Sequence, residues 1–422
     1  MKFLADLHIH SHFSRATSKT LDPEHLALWA QKKGIKVIGT GDLTHPGWIA
    51  ELKDKLIETG SGLYRLRPDL QKIVDSQAPP SCRGTALFML TGEISCIYKK
   101  NDKIRKVHHL VFMPDLVSAL KLNARLSRIG NLLSDGRPIL GLDSKNLLET
   151  ILETKETAFF VPAHIWTPWF SVFGSKSGFD TLEECFEDLT CHIHALETGL
   201  SSDPPMNRRI SALDNYLLVS NSDAHSPAKL GREANIFETG LEYSRMIQAM
   251  TDGHGFSGTI EFYPEEGKYH LDGHRKCGVM LQPEETGKCN GICPVCGKPL
   301  TIGVLHRVDD LSDNKVPRSP ELSRDFFSLI PLTEILSELL KCGPATKKVA
   351  TLYESLLSKL GPELQILMDI PLSDIGEAGG PVLKEAINRL RMNRVVREEG
   401  YDGLYGKISL FEAGFNFDHF SK

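Results

Sequence analysis

The chain is 422 residues long and carries a formal net charge of -5 at pH 7, with 41% hydrophobic and 24% charged side chains. That length leads to an expectation of two or three domains, and the charge excludes a uniformly basic coat for nucleic acid while leaving local basic patches open. No apolar run approaches the roughly 20 residues of a membrane span, and the N-terminus enters an apolar strand without a signal segment, so a cytoplasmic protein with no membrane partner is expected. Of nine cysteines, four crowd between residues 277 and 296 while the rest are scattered, which suits a reducing compartment rather than a disulfide framework.

The first strand-like run, Phe3–Leu7, delivers His8 and His10, whose i, i+2 spacing puts both imidazoles on one face. Arg15 and Lys19 follow in the next loop, placed to grip a phosphate oxygen, with surface pairing as the plainer reading. Residues 21–30 then read as a helix in which Asp22 caps and Pro23 takes the first helical position. Further apolar runs deliver Asp42, Glu93, His164, and the pair Asp223 and His225, and the run 107–112 carries His109. Any one of these has a bland explanation as a satisfied core group, but ionisable residues recurring at the ends of apolar strands are costly to bury unpaired. Their joint occurrence points to the mouth of a barrel. Imidazoles and carboxylates without thiolate suit zinc, manganese or iron, and a carboxylate among histidines is a natural bridge between two ions. Strands alternating with helical runs over residues 1–255 predict a parallel α/β barrel.

The loop after His164 gathers Trp166, Trp169, Phe170, Phe173 and Phe179 without helical or strand period. It is either a lid burying its own aromatics or a platform on which bases stack. Residues 256–312 turn rich in Gly, His, Lys and Cys. Here His274 and Cys277, then Cys293 and Cys296, have the spacing of a structural zinc site, with His270 and Cys289 as alternates for the fourth ligand. A linker over 313–330 leads to a helical domain over 331–400, where Gly-Gly-Pro opens a helix bearing Arg389, Arg391 and Arg394. Exposed amides at such a helix start attract phosphate, although a plain helical bundle explains the pattern equally well. The tail, 401–422, reads as a small hairpin followed by Phe415, Phe417 and Phe420, which dock on the body or offer a peptide to a replication clamp.

His8-Ile9-His10-Ser11, Gly39-Thr40-Gly41-Asp42, Gly92-Glu93, His109-Leu110, His164 and Asp223-Ala224-His225 resemble the ordered motifs of the PHP (polymerase and histidinol phosphatase) superfamily. The resemblance implies a distorted (β/α)7 PHP barrel with two or three metals and phosphoesterase chemistry. The chain departs from the family at Ser14-Arg15-Ala16, where an acidic ligand is usual, and at Asp42, which stands where a histidine is common. Over its full length, with the segment 268–277, the segment 293–304 and the Gly-Gly-Pro helix, it resembles the endonuclease Q group within that superfamily.

That likeness implies a small zinc-binding module and a C-terminal helical DNA-binding domain after the barrel. It also implies a DNA repair endonuclease that hydrolyses the phosphodiester 5′ to hypoxanthine, uracil, xanthine or an abasic site. On this reading His8, His10, Glu93 and Asp223 hold one ion and Glu93, His109 and His164 a second, with Asp42 and His225 completing the cluster. Glu93, Asp223 and Arg15 are assigned to catalysis, and Lys19, Trp166, Trp169, Phe170, Arg389, Arg391 and Arg394 to DNA. The expected cofactors are two or three barrel zinc ions and one structural zinc, with magnesium or manganese as alternatives for activity. The expected partner of a monomeric enzyme is damaged double- or single-stranded DNA. The alternatives are a small-molecule phosphatase of the histidinol-phosphate kind, for which the two extra domains are superfluous, and a non-catalytic DNA-binding protein, against which the near-complete ligand set argues.

Overall fold

The computed structural model describes residues 1–314 and 319–415. The strands that frame the N-terminal part are β1 (Lys2–Asp6), β2 (Val37–Gly39), β3 (Leu87–Lys100), β4 (Lys103–Met113), β5 (Phe159–Pro162), β6 (Ala195–Glu197), β7 (Leu217–Val219), β8 (Ala234–Glu238) and β9 (Phe256–Glu261). β1 runs parallel to β2 and β2 to β3. The helix Pro23–Lys33 makes the first crossover, with Pro23 at its start and the Asp22 side chain accepting from the amide of His25.

The expectation of parallel strands throughout is corrected: the sheet is mixed. β8 is antiparallel to β1, β9 to β8, and β4 to both β3 and β5, within an eleven-stranded sheet. The cause is local. β3 and β4 are joined by Asn101 and Asp102, whose φ angles of 51° and 57° are both left-handed, the geometry of a two-residue hairpin turn. The basic cluster of Lys99, Lys100, Lys103, Arg105 and Lys106 sits on this hairpin, where Lys100 pairs with Asp143 and Glu187 and Arg105 lies over the Phe179 ring.

β6 and β7 pair with each other apart from the main sheet, and side chains close the gap to β8 and β1. The amide of Asn235 both accepts from Ser220 N (3.0 Å) and donates to Ser220 O (2.8 Å). Asn221 accepts from Leu7 N at 2.8 Å. Alternate strand residues fall into two apolar clusters: Ala5, Leu110, Phe112, Val161, Val219 and Phe237 share one, covered by the helix Tyr243–Asp252, while Val107, Val111, Phe160, Leu218 and Ile236 join the larger surrounding one. The period of two sorts inner from outer.

The second unit is small. A two-stranded ribbon, Asp272–His274 with Val279–Leu281, precedes the cysteine knuckle and the helix Val304–Leu311. Arg307 of that helix ties it to the aromatic loop by donating to Phe173 O and Phe179 O, each at 3.0 Å. The helices Leu332–Leu340, Lys347–Leu360, Glu363–Met368, Leu372–Gly379 and Pro381–Arg391 follow. They pack on the first crossover helix through a buried ion pair, Lys33 with Glu363 at 2.7 Å, and Glu363 also accepts from Tyr353 and Leu332 N. A strand pair, Val396–Glu398 with Lys407–Ser409, brings the chain back to the cysteine module, so the hairpin starts earlier than the sequence pattern predicts. Among the described residues no helix is long and apolar enough to cross a membrane. Part of the expected linker, and Phe417 and Phe420 of the expected clamp peptide, lie outside the described residues; Phe415 packs against Phe411, ring centres 4.7 Å apart and tilted by 38°.

Candidate active site

Strand ends and the loops beyond them bring two ligand sets together around one carboxylate. His8, His10, Glu93 and Asp223 form the first, and Glu93, His108 and His164 the second; within each set the ligand atoms lie within 4.8 Å of one another. Oε2 of Glu93 lies 3.5 Å from His8 Nε2 and 3.3 Å from His10 Nε2, while Oε1 lies 2.5 Å from His108 Nδ1 and 3.0 Å from His164 Nε2. Asp223 Oδ1 stands 3.0 Å from His10 Nε2. The two oxygens of one fully buried carboxylate therefore serve different sets.

The surrounding groups fit a pair of bound cations. Metal-binding imidazoles use one nitrogen on the ion and fix the other on a carboxylate, and both His8 and His10 have that arrangement. His8 Nδ1 lies 3.0 Å from Glu197, and His10 Nδ1 lies 3.1 Å from Asp42. The remaining nitrogen of His8, Nε2, is buried and has no hydrogen-bond partner among the described residues, a costly state that a cation would relieve. Burial opposes ionisation of Glu93, yet His108, Arg137 and His8 hold its pKa well below the ordinary carboxylate range. Asp42, His164 and Asp223 all have positive φ, at 47°, 28° and 47°, which is the strained backbone that functional sites retain. Gly199 is required beside them, because a Cβ there would come within 2.4 Å of the His164 Cβ.

Several expected residues stand elsewhere. His109 is corrected: it shares the parity of Val107 and Val111, packs at 4.8 Å from Phe160, and bonds Ser144 Oγ at 2.8 Å, so its neighbour His108 occupies the place. Asp42 is corrected from ligand to buttress, since its oxygens are taken by His10, Ser11 and Ser14. His225 flanks the first set, its ring 4.6 Å from that of His10, without joining it. The Arg15 side chain is 74% exposed and pairs with Asp135 rather than reaching the cluster; Lys19 is exposed as well.

Sequence reasoning missed Arg137, whose Nη1 donates to Glu93 Oε2 at 3.0 Å, and Glu197, which also accepts from Asn221 and from the His164 amide. Glu197 had a signal: it ends the apolar run 195–197 as the other ligands end theirs. Arg137 had none, lying in a turn whose neighbour Gly136 must lack a side chain to let Asp42 in.

A cavity of about 790 Å³ opens over the ligands. His164, Glu197, Asn221 and Asp223 line it together with Trp169, Phe170, Tyr269 and Tyr405. Trp169 is 40% exposed and meets Tyr269 edge-on at 5.8 Å, and Phe170 lies 4.6 Å from the His108 ring. Trp166 is corrected: it is buried, donates to Asn207 Oδ1 at 2.7 Å, and belongs to the core. Two of the three arginines assigned to DNA are corrected too. Arg391 donates to three carbonyls, of Ile366, Leu367 and Ile370. Arg389 bonds Glu385 and Leu410 O and lies over Phe411. Arg394 is exposed. A second cavity, about 540 Å³ and lined by Phe159, His194 and Tyr243, holds none of the clustered ligands.

In the small module His274, Cys277, Cys293 and Cys296 present ligand atoms within 4.8 Å of one another. The alternates are engaged differently: Cys289 Sγ donates to Thr286 O, and His270 is buried against the helix start. Turns of the Cys293–Lys298 knuckle are closed by Gly297 N to Cys293 O and Cys293 N to Lys298 O.

A family model described as the MJ0043 C-terminal domain matches residues 331–394. The Bacillus subtilis protein YqxK is 30% identical over 424 residues, covering 96% of this chain and 99% of that protein. The Methanocaldococcus jannaschii protein MJ0043 is 34% identical over 251 residues, and the match spans 58% of this chain but only 31% of that larger protein. Among solved structures, the lesion-specific endonuclease PfuEndoQ from Pyrococcus furiosus aligns with a TM-score of 0.84 at 29% identity, over 100% of this chain and 99% of its own. An endonuclease Q in complex with a 27-mer duplex substrate carrying an abasic lesion at the active site aligns with a TM-score of 0.82 at 30% identity, over 98% and 97%.

Proposed function

The chain belongs to the endonuclease Q family, and from that premise we propose that it incises damaged DNA on the 5′ side of a deaminated base or abasic site, with the lesion turned out into the 790 Å³ cavity. It is a metal-dependent hydrolase and a DNA repair endonuclease. The observation that carries the finer reading is the division of Glu93 between two ligand sets at the foot of an aromatic-lined cavity.

His8, His10, Glu93 and Asp223 would hold one divalent ion, and Glu93, His108 and His164 a second. When bound, such ions would supply Lewis-acid charge to the phosphate and lower the pKa of water. The mixture of borderline imidazole and hard carboxylate donors suits zinc or manganese, with magnesium as an alternative for activity, whereas the Cys3His set of the small module suits structural zinc. Glu197 and Asp42 fix the tautomer and tilt of His8 and His10. Arg137 brings a guanidinium to the shared carboxylate, where it adds positive charge for the phosphoryl group as negative charge develops. Trp169 and Phe170 give the extruded base faces to stack on, a contribution of about 1 to 3 kcal/mol per base. A deaminated base is already weakly paired, so turning it out costs less than for a normal one.

Labelled duplexes with a single hypoxanthine, uracil or abasic site, incubated with and without divalent metal, test this. Cutting 5′ to the lesion, leaving 3′-hydroxyl and 5′-phosphate ends and sparing the undamaged control, is expected. Equal cutting of the control, or turnover of small phosphomonoesters alone, would overturn it.

A further inference from the structure

One aromatic ring at the cavity rim is left largely open to solvent. Tyr405 is 76% exposed, unusual for so large a side chain, and it lines the cavity that also contains His164 and Asp223. It is held on a stiff support. Tyr401 N bonds Leu404 O at 3.1 Å and Leu404 N bonds Tyr401 O at 2.8 Å, enclosing Asp402 and Gly403, whose φ angles of 43° and 85° make a tight two-residue turn.

The turn is itself pinned to the cysteine module. Asp402 accepts from Arg275 N and from Thr301 Oγ1, each at 2.6 Å, and Gly403 N donates to Lys268 O at 2.8 Å. Lys268 lies between two rings, its Nζ 5.6 Å from the centre of Tyr405 and 5.8 Å from that of Tyr269. The cation draws a polyanion to this rim, and the ring presents a flat apolar face to it. Ring and cation on a rigid turn are the elements of a stacking contact with nucleic acid.

We infer that Tyr405 is a specificity-determining residue that enters the base stack beside the lesion and keeps the extruded nucleotide from returning. This rests on the reading of the cavity given above. The ring acts on the equilibrium between paired and extruded lesion, not on the phosphate. Its contribution is therefore largest for lesions that still stack and pair, and smallest where nothing must be displaced.

Tyr405→Ala and Tyr405→Phe compared on four substrates decide it: duplexes with uracil, hypoxanthine or an abasic site, and a single strand with uracil. The expected result for Tyr405→Ala is a loss of about tenfold in kcat/KM on the uracil and hypoxanthine duplexes, with less than about threefold loss on the abasic duplex and the single strand, an unchanged melting temperature, and near-complete retention by Tyr405→Phe. An equal loss on all four substrates, or none on any, would overturn it. If wild-type protein cuts none of the lesions, the reading of the cavity fails instead, which is a distinct outcome.

Discussion

Oδ1 of Asp42 stands 3.1 Å behind Nδ1 of His10, and the same carboxylate is locked by Ser11 and Ser14, so the ring can present only Nε2 to Asp223 and Glu93. Orienting carboxylates of this kind typically carry 10- to 100-fold in metal affinity. Asp42→Asn is expected to lower metal affinity by about that factor while leaving the protein folded. Metal titration followed by calorimetry checks this, and unchanged affinity with lost activity would make Asp42 a reacting group instead.

Adjacent histidines give a sharper contrast. His108→Ala removes the imidazole that, on the proposed reading, would hold an ion beside Glu93, and is expected to reduce cleavage at least about a thousandfold, several kcal/mol of transition-state stabilisation. His109→Ala is expected to leave kcat within about twofold and to lower stability by about 2 to 4 kcal/mol, because its ring packs on Phe160 and Phe186. Steady-state kinetics beside urea denaturation separates the two; the reverse pattern would restore His109 to the centre.

This pair also shows where the sequence stops being informative. Both faces of β4 are buried, so Val107-His108-His109-Leu110 has no polar side to mark its parity, and the choice between neighbours depends on a sheet register that only the fold supplies. Asn101-Asp102, a pair that tolerates left-handed backbone, carries the signal of the hairpin turn, and the expectation of an all-parallel sheet leaves that signal unused. His8, His10, Glu93, His164 and Asp223 could be found because each ends an apolar run. Arg389 and Arg391 misled because charge says nothing about direction: Arg391 turns back onto carbonyls of its own domain and Arg389 onto the Leu410 carbonyl of the tail.

Zinc held by His274, Cys277, Cys293 and Cys296 would account for most of the folding free energy of a module with so few buried apolar residues, on the order of 10 kcal/mol. Cys277→Ser is expected to release about one equivalent of metal and expose residues 268–302 to proteolysis, whereas Cys289→Ser leaves both unchanged. Elemental analysis with limited proteolysis reads this directly.

Stability should fall as pH rises toward 8. Burial pushes Glu261 up to about 8 from an ordinary value near 4.5, against the hydrogen bonds it accepts from Thr259, Thr198 and Ser220. Between those values the folded protein keeps the proton and the unfolded chain does not, so raising pH favours unfolding by up to about 1.4 kcal/mol per pH unit. Glu261→Gln, which cannot ionise, is expected to flatten that slope between pH 5 and 8. Denaturant midpoints of the two proteins with parallel pH dependence would show that Glu261 does not hold this proton.

The bond from Arg275 N to Asp402 joins residues 127 apart in sequence, and it bears on how the protein is made. On the ribosome the cysteine knuckle emerges and can close around its ion more than a hundred residues before the turn that seals it exists. The ring of Tyr405 takes up its post only when residues 401–405 have followed. A nascent molecule halted before residue 401 would thus hold the residues of both ligand sets yet lack the ring of Tyr405 at the cavity rim.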